Sequence, residues 1–340
     1  MPTDPAIFIR RPRRSSMPRQ PQPAPFDGAL IVNKPGGKTS HDVVEAVRRL
    51  VHFRQIGHLG TLDPLATGVL ALLLGRATRL AQFYAGRRKR YACVFRFGFA
   101  TDTYDADGKA QGADVAPELS REALESMTSE FTGHFSQMPP PYSAKKIKGQ
   151  PAHELARKNK PVNLTAVDVD VFEFKIIRVE GPRMRCEIEC GAGTYIRSLA
   201  HDLGAKLGTG AHLEEITRTA VGEFTLDQAI GMAELEEAAS RGAIQELMIP
   251  LEGLLRDLPR ATVLPIIERR VRHGAKFTLT LSQVQPGHIS LAPGATAQLD
   301  SGEWKPARLR VFSQQEKLIA VAEAVVPRTY QPIVVLDASL

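Results

Sequence analysis

A single carboxylate, Asp63, stands in the stretch "GHLGTLDPLATGVLALLLG" between Leu62 and Pro64, and a purely apolar run follows it. The proline after it pushes its backbone toward extended conformations, and Pro64 is suited to begin a helical turn through "PLATG". The plainest role for Asp63 is therefore a cap on that turn. Its setting argues for more. Gly57, Gly60 and Gly68 allow tight turns or the close approach of another backbone, His58 precedes, and a buried strand follows. A carboxylate held at the edge of a core could act as a base, or as a nucleophile on an electron-poor carbon.

Such a group near apolar walls needs a cation beside it to stay ionised. "GAGTYIRSLAHDLG" offers Arg197 on the first turn of a helix, with Tyr195 two residues earlier, although an exposed helix arginine is the simpler reading of that position. In "RRKRYACVFRFG" Tyr91 opens a strand behind Arg87, Arg88, Lys89 and Arg90, a pattern suited to phosphate contact and base stacking or, more simply, to sheet packing. Lys145, Lys146 and Lys148 in "YSAKKIKGQ" form a second basic cluster or a solvated face. His201-Asp202, His212 and the carboxylates of "TDTYDADG" raise a metal-dependent phosphohydrolase as an alternative, but they lack compact ligand spacing, and His201-Asp202 reads as a surface pair in mid-helix. "GAGTYIR" lacks the lysine and the spacing of a phosphate-cradling loop.

The elements that must position these residues alternate between strand and helix. "ALIV" reads as a strand ended by Pro35 and two glycines, "TSHDVVEAVRRLVH" as a helix started by Thr39 or Ser40, and "VLALLLG" as a buried strand. A helix is expected through "ATRLAQFYAG", a half-buried strand in "RYACVFRFGF", and a helix in "SREALESMTSEF". "AVDVDVFEFKIIRVE" and "MRCEIEC" read as a long hairpin turning at Gly181-Pro182. "TYIRSLAHDLGAKLG" and "TLDQAIGMAELEEAAS" read as helices. After Pro259 come short strands and glycine-proline turns, "HISLAPGATAQLD", "ARLRVFS" and "KLIAVAEAVV", beside one helical stretch, "PIIERRVRHG". The class is α+β with a mixed, largely antiparallel central sheet flanked by helices, plus a small C-terminal β-rich module. The expected organisation is a disordered basic tail over residues 1–25, a catalytic domain over 26–258 and a β-rich domain over 262–340.

Composition sets the class of partner. The 340 residues are 43% hydrophobic, enough for a sizeable core, and 44 Lys and Arg against 37 Asp and Glu give a net charge of +7, which favours a polyanionic partner. Three cysteines make no disulfide framework, the longest apolar run is too short to span a bilayer, and no signal-peptide pattern opens the chain. A reduced, cytoplasmic setting is expected.

Five stretches in order, "GALIVNKPGGKTSHDVV", "GHLGTLDPLATGVL", "KRYACVFRFGFATDTYDADG", "PPPYSAKKIKGQPAHELAR" and "GAGTYIRSLAHDLGAKLGTGAHLEEITRTAVGEF", resemble the successive motifs of the bacterial tRNA pseudouridine synthase B family, TruB, over residues 28 to 230. The resemblance implies a monomeric, cofactor-free and metal-free isomerase that converts uridine 55 in the T-arm of tRNA to pseudouridine. It implies that Asp63 is the nucleophile and that Tyr91 stacks on the target base and takes part in proton transfer. Arg197 and Tyr195 would pair with the aspartate and line the pocket, and His58 would contact the T-loop. Lys34 would support the site, and Ile216 would form an apolar wall where the family often has Leu. Asn33 replaces a commoner Asp. The C-terminal module stands where the family carries a PUA-like RNA-binding domain. A non-catalytic tRNA chaperone on the same fold is the second alternative.

Overall fold

In this computed structural model, residues 26–115, 117–142, 146–147, 150–151, 164–285, 287 and 308–337 are described. The basic tail, Lys145, Lys148 and the stretch "HISLAPGATAQLD" lie outside them. Two apolar strands organise the rest. β1 (Gly28–Lys34) and β3 (Thr67–Leu74) pair antiparallel from Gly28 opposite Leu74 to Lys34 opposite Gly68. Leu30, Val32, Leu70, Leu72 and Leu74 enter one core, while Ala29, Ile31, Val69, Ala71 and Leu73 enter a second on the other face. The side chains alternate as in any strand, but both faces are covered, so "VLALLLG" reads as an unbroken apolar run.

The first core is roofed by helices. α1 (Ser40–Val51) starts at Thr39, which forms a capping box with Asp42, and buries Val43, Val44, Val47 and Val51. The sheet continues with β2 (Ile56–His58) and β4 (Lys89–Phe97). After α2 (Arg121–Ser129) come β5 (Gly133–Gln137) and the hairpin β6 (Val167–Glu180) and β7 (Arg183–Cys190). α3 (Ile196–Leu207), closed by Gly208 in the left-handed conformation, leads to β8 (Ala211–Val221) and β9 (Phe224–Thr225). α4 (Met232–Ser240) and β10 (Ile249–Pro250) complete it. The strand order is β10-β1-β3-β8-β4-β7-β6-β5, with β9 on β8 and β2 on β3. β8 runs parallel to β3 and antiparallel to β4, so one strand joins the two halves of the sheet.

Two helical expectations change. Residues 75–83 form a 3₁₀ helix, with the Gly75 carbonyl taken by Thr78 Oγ1 and Gln55 Nε2 at its start. "TLDQAIGMAELEEAAS" is broken because Ile230 pairs with β1, donating to the Ile31 carbonyl and accepting from the Asn33 amide, so α4 starts only at Met232.

A second, six-stranded sheet follows, in the order β12-β16-β15-β14-β11-β13. Its strands are β11 (Arg260–Thr262), β12 (Phe277–Thr278), β13 (Val284–Gln285), β14 (Arg308–Phe312), β15 (Leu318–Val326) and β16 (Thr329–Val335), with α5 (Pro265–Arg272) beside them. Phe312, Leu318, Val321, Val334 and Leu336 pack into the core behind β1 and β3, and buried Arg310 donates to the Leu254 and Leu258 carbonyls. Among the described residues, no helix is long and apolar enough to cross a membrane.

Candidate active site

Asp63 lies in the loop between β2 and β3, and every carbonyl from Gly60 to Pro64 has an anchor. Arg218 Nη2 donates to the Gly60 carbonyl at 3.0 Å and Nη1 to the Thr61 carbonyl at 3.4 Å. Buried Ser40 clamps Leu62 in both directions, accepting from its amide at 2.8 Å and donating to its carbonyl at 3.1 Å. The Asp63 carbonyl accepts from the Ala66 amide, and that of Pro64 from the Gly37 amide and Lys34 Nζ. The expected helical turn through "PLATG" reduces to the single Ala66 bond. Lys34 is fully buried and also donates to the Pro35 and Lys38 carbonyls, and its burial lowers its pKa to about 8 against the opposing pull of Asp63.

The Asp63 side chain caps nothing in its loop and meets Arg197 instead. Arg197 Nε lies 2.9 Å from Asp63 Oδ2, and Nη1 lies 3.3 Å from Asp105 Oδ2. Nη1 also donates to the Thr103 carbonyl and Nη2 to the Tyr142 carbonyl, each at 3.0 Å. The arginine is therefore no exposed helix residue: its side chain is 8% exposed, whereas that of Asp63 is 48% exposed at the mouth of the site. α3 aims it, because the Tyr195 backbone that opens the helix is clamped at both its N–H and its carbonyl by Gln137. Asp105 is buried, and burial raises its pKa although Thr103 and Arg197 work against it.

Deeper in the site, Tyr91 of β4 stands opposite Arg218 of β8. Burial drives the Tyr91 phenol well above its ordinary range, with the Arg218 cation pulling the other way. Burial, and then Arg218, also lower the pKa values of His58 and Lys89, which leaves the His58 imidazole neutral at neutral pH. Gly60 has φ +93°, and a Cβ there would sit 3.4 Å from both Arg218 Nη1 and Lys89 Cε. Gly57 has no such constraint.

The remaining candidates fall elsewhere or in softer roles. Ile216 lies on β8 packed against the first core, and its carbonyl accepts from Thr67 Oγ1. Three of the four basic residues before Tyr91 are spoken for: Arg87 pairs with Asp257, and Arg88 and Arg90 with Glu189. They border a cavity of about 1020 Å³ that none of Asp63, Tyr91 and Arg197 lines. His212 is buried with Nδ1 3.1 Å from the Phe99 carbonyl, and Asp102 accepts from the Lys109 amide. Among the described residues, no three His, Cys, Asp or Glu side chains converge on a point that could hold a metal ion. His201-Asp202 is no surface pair: His201 stacks on Tyr104 at 3.6 Å, and burial pushes the Asp202 pKa up to about 6.

Three residues at the site escaped the sequence reading. Asp105 was legible only as a metal-ligand candidate. Arg218 drew no reading, although its two-residue spacing from Ile216 puts the two on one face of the strand. Ser40 was legible only as a helix start.

The family model described as TruB family pseudouridylate synthase, N-terminal domain, matches residues 48–196, and that of the tRNA pseudouridylate synthase B C-terminal domain matches residues 197–256. The chain is 41% identical over 311 residues to tRNA pseudouridine synthase B of Solibacter usitatus, covering 92% of this chain and all of that relative. It is 39% identical over 256 residues to tRNA pseudouridine synthase B of Aquifex aeolicus, covering 75% and 88% respectively. Among solved structures, a Cbf5-Nop10-Gar1 complex contains a chain of the same fold, with a TM-score of 0.67 at 23% identity over 91% of this chain and 85% of that one.

Proposed function

The chain belongs to the TruB family of pseudouridylate synthases and forms pseudouridine in tRNA, and from that premise we propose that its target is uridine 55 of the T-loop, with Asp63 as the nucleophile. The isomerisation breaks the N1–C1′ bond, turns the freed uracil and joins C5 to C1′, while the proton on C5 is lost and N1 gains one. The uracil must stay enclosed throughout. A stacked T-loop uridine must first be flipped out, at a cost of a few kcal/mol.

The observation that carries this reading is the Asp63–Arg197 contact at 2.9 Å on a loop anchored at each carbonyl from Gly60 to Pro64. Arg197 holds one carboxylate oxygen, and the half-exposed side chain faces the space a flipped nucleotide would fill. The anionic Asp63 then attacks C1′, or assists loss of a sugar proton on the route through a glycal. Tyr91 stacks on the uracil and Tyr195 lines the pocket. Neutral His58 meets the T-loop, Ile216 forms the apolar wall, and Lys34 braces the loop from beneath. We place the catalytic unit at residues 26–258. The module at 262–340 grips tRNA phosphates as a PUA-like domain through Arg269 and Arg270 in the last turn of α5, in a protein that acts as a monomer.

Asp63→Asn keeps the shape of the loop and removes the nucleophile. Single-turnover assays on an unmodified tRNA transcript are expected to show a loss of at least about 10⁴-fold, with tRNA affinity unchanged within about threefold. Turnover by this variant would overturn the assignment, and product at a uridine other than 55 would overturn the target.

A further inference from the structure

We propose that Arg218 is a positioning residue for this reaction, a buried fork that holds the entry and exit of the Asp63 loop and the hydroxyl of Tyr91 in one rigid arrangement. The inference rests on the roles given to Asp63 and Tyr91 above.

Arg218 is fully buried, and among the described residues no carboxylate pairs with it. Burying a guanidinium costs several kcal/mol, so its compensation must come from the backbone. Nε donates to the Val69 carbonyl at 2.8 Å, Nη2 to Gly60 at 3.0 Å and Nη1 to Thr61 at 3.4 Å. Two of these acceptors precede Asp63 in the chain and one follows it. A single planar group thus ties together both arms of the loop.

The strands lock the fork in place. The Arg218 backbone stands opposite Gly68 on β3 and opposite Tyr91 on β4. Gly68 has φ +96°, and a Cβ there would lie 2.3 Å from the Arg218 carbonyl oxygen, so only glycine admits this approach. Tyr91 stands opposite Arg218 across the β4–β8 pair, close enough for the guanidinium to pull its phenol pKa down against burial. A guanidinium can only donate, so beside a phenol it presents its N–H groups to the phenol oxygen and never competes for the phenol proton. Lysine carries one nitrogen where arginine carries three, and it cannot span both arms and the phenol together. Ser40, Lys34 and Gly37 hold Leu62 and Pro64 independently, so the loop keeps its outer anchors when the fork is removed.

The test uses the full-length enzyme, a tRNA transcript, single-turnover rates and tRNA Kd for Arg218→Met, Arg218→Lys, Tyr91→Phe and the double variant Arg218→Met/Tyr91→Phe. Arg218→Met is expected to slow turnover about 100-fold, the scale set by small misplacements of reacting groups, with Kd unchanged within about threefold. Arg218→Lys recovers part of this, staying about tenfold slow. Because the two side chains act as a unit, the double variant is expected within about threefold of the slower single variant. Wild-type turnover in either folded Arg218 variant would overturn the proposal, as would losses that multiply in the double variant or appear in Kd rather than in rate. If circular dichroism shows Arg218→Met unfolded, Arg218→Lys decides on the same rate and Kd readouts. Asp63→Asn in the same assay reports separately: its turnover breaks the nucleophile reading and leaves the Arg218 comparison intact.

Discussion

Arg197 and Arg218 both lie beside the Asp63 loop with almost no solvent contact, yet they are satisfied in opposite ways. Arg197 faces two carboxylates, Asp63 at 2.9 Å and Asp105 at 3.3 Å, and is anchored by the Thr103 and Tyr142 carbonyls. Arg218 faces three backbone carbonyls and a phenol. The first is part of a charge cluster at the mouth of the site, where one of its partners is half exposed and free to meet substrate. The second is part of the framework. The contrast separates two demands that one cation could not meet: holding a carboxylate in place while leaving it reachable, and fixing the backbone that presents it.

The widest break in that contrast comes from Arg197→Met. It strands Asp63 and Asp105 without their shared cation, and loss of such a charge partner in a partly enclosed site costs about 10³-fold in turnover. Single-turnover rates on the folded variant check this: the rate is expected to collapse, and a thermal melt to fall as well, because buried Asp105 and the Thr103 and Tyr142 carbonyls lose their donor.

Gly68→Ala strikes the framework instead. The added methyl meets the Arg218 carbonyl at 2.3 Å in a backbone conformation that alanine resists, so about 3 kcal/mol of stability is expected to go. Chemical denaturation with urea measures it. A melt unchanged from wild type would show that β3 and β8 do not need the close approach on which the framework depends.

The two arginines were not equally legible in the sequence. Arg197 sits in a motif, "GTYIR", at a helix start, and a helix N-terminus gives a residue a fixed direction from local rules alone. Arg218 sits in "EEITRTAV", where strand parity says inward but nothing says what lies inward. Its acceptors, Gly60, Thr61 and Val69, are about 150 residues away in the chain and meet it only through the crossover that lays β8 beside β3. Most strands and α1 and α3 were readable for the same local reasons as Arg197. The break before α4 was not, because the pairing of Ile230 with β1 is a long-range event that overrides a helical pattern. Asp63 itself was expected at the edge of a core, and its side chain is half exposed.

Asp105→Asn probes the charge cluster more gently. The amide can still accept from Thr103 Oγ1, but Arg197 is left with one anionic partner, which it then holds more tightly. A loss of about tenfold in single-turnover rate is expected, with tRNA affinity unchanged. A loss as large as that of Arg197→Met would mean that Asp105 does more than share the cation.

The smallest effect lies one turn further along α3, where burial pushes the Asp202 pKa from 3.8 up to about 6. A carboxyl whose folded pKa exceeds its unfolded value stabilises the fold only while protonated. That contribution is complete below about pH 4 and is lost as pH rises through about 6. Asp202→Asn removes the group that must ionise, so it should match wild type near pH 4 and become the more stable protein above pH 6. Two pKa units correspond to at most about 3 kcal/mol for a fully enclosed group, and the partial solvent contact of Asp202 reduces the expected gain to about 1 kcal/mol. Thermal melts of both proteins from pH 4 to pH 8 give the curve directly. A gain that is flat with pH would mean that the amide packs better for reasons unconnected with charge. A gain that grows toward acid would mean that the carboxylate has found a cation, and that the charge cluster around Arg197 reaches further along α3 than Asp105.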